Sequence, residues 1–325
     1  MNTSVIKGVH PQIIKLVERL TETVPKDQIR AIEQFTHIYY AATPVNELDS
    51  RKMDDLYGAT LACWSFLQKS KEGSKIRVFN PDFEEHGWQS PHTIVEIVQQ
   101  DMPFLVDSIR MELNRRDMSI HFINHAVLPI SRNASGQLDQ GNSFDTDAAT
   151  QEAVIYIEVD LHTDKKTLKD LTSSLQEIIN EIELLVDDYQ SFIDKSQQAV
   201  QWIKDSSGPF TQSDTNEAMA FMEWLKENHF TFLACEDFNV EVKDGKSIVT
   251  RDNKSVSGIF KHDLHGPDKM VVDDLSENLK NLILSPQLIT MSKSGRRSRI
   301  HRPAYPDYVI VKHIDKNGQV LGGRR

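Results

Sequence analysis

Apolar residues recur at helical spacing over the first seventy positions. In "HPQIIKLVERLTETV", Ile13, Ile14, Leu16, Val17 and Leu20 fall largely on one side of a helix. Val24-Pro25 ends it, because a residue before proline is pushed out of the α region. "KDQIRAIEQFTHIYYAA" repeats the pattern through Ile29, Ile32, Phe35 and Tyr39, until Thr43-Pro44 breaks it. "VNELDSRKMDDLYGATLACWSFLQKS" then predicts a third helix, with Leu48, Met53, Leu56, Leu61, Trp64 and Leu67 inward.

The texture changes at Gly73. "KIRVFNP" predicts a short strand, and "PHTIVEIVQQ" a largely buried one. A helix follows from Pro103, with Leu105, Ile109 and Leu113 at i, i+4 and i+8 and Val106 widening the stripe. "SIHFINHAVLPIS" and "EAVIYIEVDLH" are strands on either side of a polar loop, Asn133 to Thr150. The long helix after them carries Leu168, Leu171, Leu175, Ile178, Ile182 and Leu185 on one face, with Asp164 as its cap. Helical residues continue to about Lys204. Strand, helix, strand, strand, helix is the order of an α+β sandwich with helices on one face of an antiparallel sheet.

"KDSSGPFTQSDT" has the composition of a linker. Beyond it lie an amphipathic helix built on Ala218, Met222 and Leu225, and a hairpin turning at Asp244-Gly245. A short helix ("DDLSENLKNLILS"), a strand ("PQLITMSKS") and a hairpin around Asn317-Gly318 complete the pattern. The sequence stops at "GGRR", early in the return strand, which suggests a piece of a longer protein.

At 325 residues there is room for two domains. Hydrophobic content of 39% and charged content of 26% are those of an ordinary globular chain. No apolar run approaches the roughly 18 residues of a membrane helix, and the N-terminus alternates apolar and charged residues unlike a signal peptide. Cys63 and Cys235 lie far apart with no Cys-x-x-Cys spacing, so a reduced cytoplasmic protein is the simplest account. A net charge of -11 argues against nucleic acid as the main partner, since phosphate binding needs cations.

Two stretches carry candidate chemistry. Asp101-Met102-Pro103-Phe104, with Asp107 a turn later, sits between strand and helix. It reads either as a capped helix start or as an anion-binding elbow at a helix N-terminus. "KSGRRSRIHR" gathers Arg296, Arg297, Arg299 and Arg302 in an acidic chain, as a solvated loop, an anion site or a docking surface for an acidic neighbour. His121 and His125 are four residues apart in a strand, about 13 Å, too far for one metal ion. His92 and His162 have no Cys or carboxylate at ligand spacing. There is no Gly-x-Gly-x-x-Gly, no phosphate loop and no nucleophile elbow. Catalytic, cofactor-binding and metal-binding residues are therefore not expected within this sequence.

"DMPFLVDSIRMELNRRDMSIHFINHAVLPISR", "FMEWLKENHFTFLACEDFNV" and "SRIHRPAYPDYVIVKHIDKNGQVLGGRR" resemble, in this order, the N-terminal region of the large bacterial NAD-dependent glutamate dehydrogenases. The resemblance implies ACT-like and PAS-like modules, with the NAD site and the glutamate pocket downstream in the parent chain. ACT domains that bind amino acids commonly read Asp-x-Pro-Gly-Leu at the elbow; here Phe104 stands where the glycine would be. The expected organisation is α+β throughout: helices over 1–72, an ACT-like βαββα domain over 73–204, a linker at 205–212 and a PAS-like α+β domain over 213–325. The implied role is regulation or assembly of a glutamate dehydrogenase. Its partners would be downstream domains, further copies of the chain and a small-molecule effector. A free-standing sensor is the alternative.

Overall fold

A computed structural model describes residues 9–69, 73–138, 144, 150–262 and 266–325, with the side chain of Asn228 set aside. The N-terminal pattern over 1–8, the end of the first helical segment at 72 and most of the polar loop between Leu138 and Thr150 lie outside the described residues. The architecture is α+β, with two antiparallel sheets. Among the described residues no helix is long and apolar enough to cross a membrane. The chain divides into two compact units, Met1–Ile179 and Asn180–Arg325.

The first unit opens with helices α1 (Pro11–Thr23), α2 (Ile29–Tyr39), α3 (Val45–Ser50) and α4 (Met53–Gln68). The single third helix expected over 45–70 is thus two. Arg51 between them is extended (φ -93°, ψ 140°), and its guanidinium grips Glu158 at 2.8 and 3.0 Å. It also lies 3.8 Å from the centre of the Phe122 ring. Strands β1 (Lys75–Phe79), β2 (Thr93–Gln100), β3 (Ile120–Ile130) and β4 (Thr150–Val159) form a sheet in the order β1-β2-β4-β3. A four-residue helix, α5 (Phe83–His86), precedes β2; α6 (Leu105–Arg115) joins β2 to β3, and α7 (Lys165–Asp187) follows β4. Asp164 caps α7 as expected, accepting the Thr167 N–H at 2.9 Å.

One hydrophobic cluster joins α1, α2 and α4 to the sheet. Phe35, Trp64 and Phe144 meet with ring centres 5.4 to 6.4 Å apart, in a cluster that includes Ile94, Val98, Phe122 and Tyr156. The expected boundary at 72/73 therefore cuts through a continuous core. Val95 and Ile97 alternate to the opposite face and are fully buried too. Both faces are covered, which is why β2 carries consecutive apolar residues on each side of the buried Glu96.

The second unit takes the last residues of α7, with Ile182 and Leu185 buried, and α8 (Tyr189–Asp205). Helix α9 (Gln212–Trp224) is started by a reciprocal cap between Thr211 and Asp214. Next come β5 (Ala234–Lys243), β6 (Lys246–Gly258), β7 (Lys269–Val271), α10 (Glu277–Leu284), β8 (Ile289–Lys293), β9 (Asp307–Ile314) and β10 (Val320–Arg324). The sheet order is β7-β6-β5-β10-β9-β8, so β10 lies between β5 and β9. Asp244 and Gly245 both adopt positive φ (53° and 74°) in the expected hairpin turn.

The linker expected at 205–212 joins α8 to α9 and is mostly exposed, but it is anchored at two points. Phe210 lies against the apolar cluster formed by Ala199, Val200, Ile203, Met222 and Ile314, and the Ser206 hydroxyl accepts the Ile314 N–H at 3.3 Å. With α8 inside this core, the compact units part within α7 and not at the Ser/Gly/Pro-rich stretch.

Candidate functional site

The elbow belongs to the first unit. The Asp101 N–H donates to the Gln151 carbonyl at 2.8 Å, which continues the ladder between β2 and β4. The Asp101 side chain is exposed and makes no hydrogen bond among the described residues, so it is not the cap that its position suggests. Met102 is buried and Pro103 exposed. Phe104 holds φ 72°, ψ -6°, the conformation of the third residue of a type II turn, where glycine is favoured. Helix α6 consequently starts at Leu105 and not at Pro103, with the Phe104 carbonyl accepting the Ser108 N–H at 3.0 Å. Asp107 lies exposed in the first turn, favourably placed for the helix dipole. Deeper in α6, Glu112 is 2% exposed. Burial drives its carboxyl up, but hydrogen bonds from Arg115, Ser174 and Arg116 outweigh this and hold it at about 2.

The basic loop belongs to the second unit; its Arg296, Arg297 and Arg302 side chains are exposed, but its backbone is tied down. Ser294 N–H donates to the Pro306 carbonyl at 2.8 Å and Ser298 N–H to the Ala304 carbonyl at 2.9 Å, so the segment folds as an extension of the β8–β9 hairpin. Ile300 anchors it at 2% exposure. His301 beyond it sits at φ 68°. Arg296, Arg297, Arg299 and Arg302 all reach one cavity of about 780 Å³. Phe192, Lys195 and Ser196 of α8 form part of the wall, with Phe230, Phe232, Phe260 and the ends of β9 and β10. Arg297 lies over the Tyr305 ring, 5.3 Å from its centre.

Burial pushes the Cys235 thiol up to about 11, so it stays protonated and is a poor nucleophile near neutral pH. Arg324 holds Asp237 at 2.6 and 2.7 Å, and Arg325 holds Glu236 at 2.6 Å. The closing arginine pair and Lys195 are the wall residues that sequence reasoning missed. An Arg-Arg pair in an acidic chain was a visible signal; Lys195 in mid-helix gave none.

The histidines of the first unit have partners that spacing alone does not reveal. His121 stacks on His92 with ring centres 4.4 Å apart, and its Nε2 lies 2.7 Å from Asp160 Oδ1. His92 Nδ1 is 3.5 Å from Glu158. Strand pairing, and not ligand spacing along the sequence, brings Glu158 of β4 to His92. Asp82, Glu85 and His86 place ligand atoms within 4.8 Å of one another, but Asp82 is already occupied as the cap of α5, accepting the Glu85 N–H at 2.8 Å.

Comparison with known proteins places this geometry. Residues 35–175 match the glutamate dehydrogenase ACT1 domain, a span that includes α3, α4, the four-stranded sheet, the elbow and the start of α7. The chain is 38% identical over 315 residues to an NAD-specific glutamate dehydrogenase of Halomonas elongata, covering 96% of this chain and 20% of that protein. It is 35% identical over 298 residues to the NAD-specific glutamate dehydrogenase of Pseudomonas aeruginosa, covering 88% of this chain and 18% of that protein. The chain thus spans about a fifth of the length of these relatives. Part of the chain thus matches a glutamate dehydrogenase ACT1 domain, and nearly the whole of it is similar to one part of NAD-specific glutamate dehydrogenases.

Proposed function

We propose that this chain is the regulatory and assembly region of a cytoplasmic NAD-dependent glutamate dehydrogenase. The parent reaction is L-glutamate with NAD and water to 2-oxoglutarate, ammonia and NADH, with its catalytic residues outside these 325 positions. The observation that carries the proposal is the alignment of 96% of the chain with only 20% of a protein of that name. Two features support it. The sequence lacks a dinucleotide fingerprint, and the elbow carries Phe104 in the conformation that an effector-binding glycine would take. The ring of Phe104 makes this elbow a structural turn first and an effector site second. The antiparallel sheet of the second unit, with its first and last strands side by side and helices against it, supports a PAS-like assignment there. Assembly runs through further copies of the chain and its downstream domains.

The test is kinetic and hydrodynamic. The 325-residue chain alone should show no glutamate-dependent reduction of NAD. Removing it from the parent should change the subunit number or the glutamate saturation curve. Activity in the isolated chain, or a parent unchanged by the deletion in both respects, would sink the proposal.

A further inference from the structure

The cavity of the second unit has a charge imbalance that its own wall does not resolve. Its lysine and arginine side chains outnumber its carboxylates, Glu181 and Asp307. Both acids are engaged: Glu181 lies 3.4 Å from Arg299 and 3.8 Å from His262, and Asp307 holds Lys293 at 2.7 Å. Arg324 and Arg325 are tied to Asp237 and Glu236. Arg297 and Arg302 meet no carboxylate among the described residues, although the chain as a whole carries a net charge of -11. Two guanidinium groups without a carboxylate partner thus line a concave surface, where they are open to an external anion.

Two further observations belong to the same wall. The Ser196 hydroxyl of α8 is buried, with the residue 4% exposed, and makes no hydrogen bond among the described residues. An unsatisfied buried hydroxyl is destabilising, and a ligand's polar group removes that cost. His301, also in the lining, is held at φ 68°, and such strain collects where surrounding structure holds a binding surface in place. Aromatic rings form another part of the wall: Phe192 and Phe232 stack with ring centres 6.0 Å apart, and Phe230 and Phe260 join them. At about 780 Å³ the space matches one small organic molecule.

We infer that this cavity binds a small organic anion, a carboxylate or a phosphate carried on a flat aromatic body. The Arg297 and Arg302 side chains hold the charge, the phenylalanines hold the body, and the Ser196 hydroxyl bonds a polar edge. A bare inorganic anion uses only the first of these. The site stands on the 325-residue chain alone, so its failure and the failure of the dehydrogenase proposal are separable.

Calorimetric titration of the chain with AMP, phenylpyruvate and inorganic phosphate tests the inference. Saturable binding is expected for at least one aromatic anion, at least about tenfold tighter than inorganic phosphate, as the added apolar contact requires. AMP as the binder assigns a phosphorylated ligand, and phenylpyruvate a carboxylated one. The double variant Arg297→Glu, Arg302→Glu changes two exposed loop side chains. It should melt like the wild type and bind at least about tenfold more weakly. Ser196→Ala should lose a smaller factor. No binding of either aromatic probe up to about 10 mM, binding indifferent to the double reversal, or phosphate alone binding as tightly, would overturn it.

Discussion

Phe104 occupies a left-handed backbone conformation at the one elbow position where a side chain is least welcome. An L-residue there costs about 1 kcal/mol relative to glycine, so its retention needs the contacts of the ring. Comparing Phe104→Gly with Phe104→Ala separates the two effects, since both lose the ring and only alanine keeps the strain. The glycine variant should be the more stable by about 1 kcal/mol, read as a higher thermal midpoint; equal midpoints would mean an unstrained turn. Lys312, fully buried in β9, gives its ammonium to the Ser285 carbonyl and hydroxyl at 2.8 and 2.9 Å. There it faces the C-terminal end of α10, where a cation is favoured. Burial lowers its pKa from 10.5 to about 8. Between those values the unfolded chain binds the extra proton, so stability from this group rises as pH climbs from about 8 to 10.5. The melting temperature of wild type minus that of Lys312→Met should therefore grow across this interval. A flat difference would show that the amine keeps its ordinary affinity for protons. Neither residue announces itself in the sequence: left-handed geometry at a phenylalanine, and burial of a lysine in "VIVKHI", depend on tertiary neighbours.

Elements with strong periodicity were legible, because burial on one face leaves its mark on residue type. Helix α7 has Leu171, Leu175, Ile178 and Ile182 buried as its stripe predicts, and the Asp244-Gly245 turn falls where its chemistry requires. The elements that polar contacts shape were not legible. Arg51 interrupts a continuous helical pattern because Glu158, far along the chain, holds it in extended form. The stretch at 205–212 has linker composition but packs through Phe210. The basic loop has the composition of a solvated segment, and Ile300 pins it down. Two glycines of β10 show the opposite case, a signal whose reason the fold supplies. A Cβ at Gly322 would stand 2.5 Å from the Phe238 carbonyl, and one at Gly323 2.6 Å from that of Val311. Gly323→Ala should therefore destabilise the second unit by about 1–3 kcal/mol, measured by chemical denaturation. A neutral result would mean that the neighbouring strands yield without cost.

For the whole molecule, the family resemblance reached further than element patterns did. Periodicity gave an α+β chain in two parts, yet it put the division at a polar stretch, whereas the compact units part inside α7. Helical periodicity is blind to which core a helix joins; α8 continues the pattern of α7 and buries Ala199 and Ile203 in the second unit. The cavity was legible only as its arginines, since its aromatic wall comes from segments more than a hundred residues apart in sequence. The central place of β10 has a consequence for the order of folding. Its partner β5 is made some eighty residues earlier on the ribosome, and until Val320–Arg324 emerge, β5 and β9 each present an open edge. Pairing across such a sequence distance is slow, and open edges invite strand exchange between nascent chains. Strand β10 is thus the bolt of the second sheet: synthesis has to outrun aggregation until it slides home.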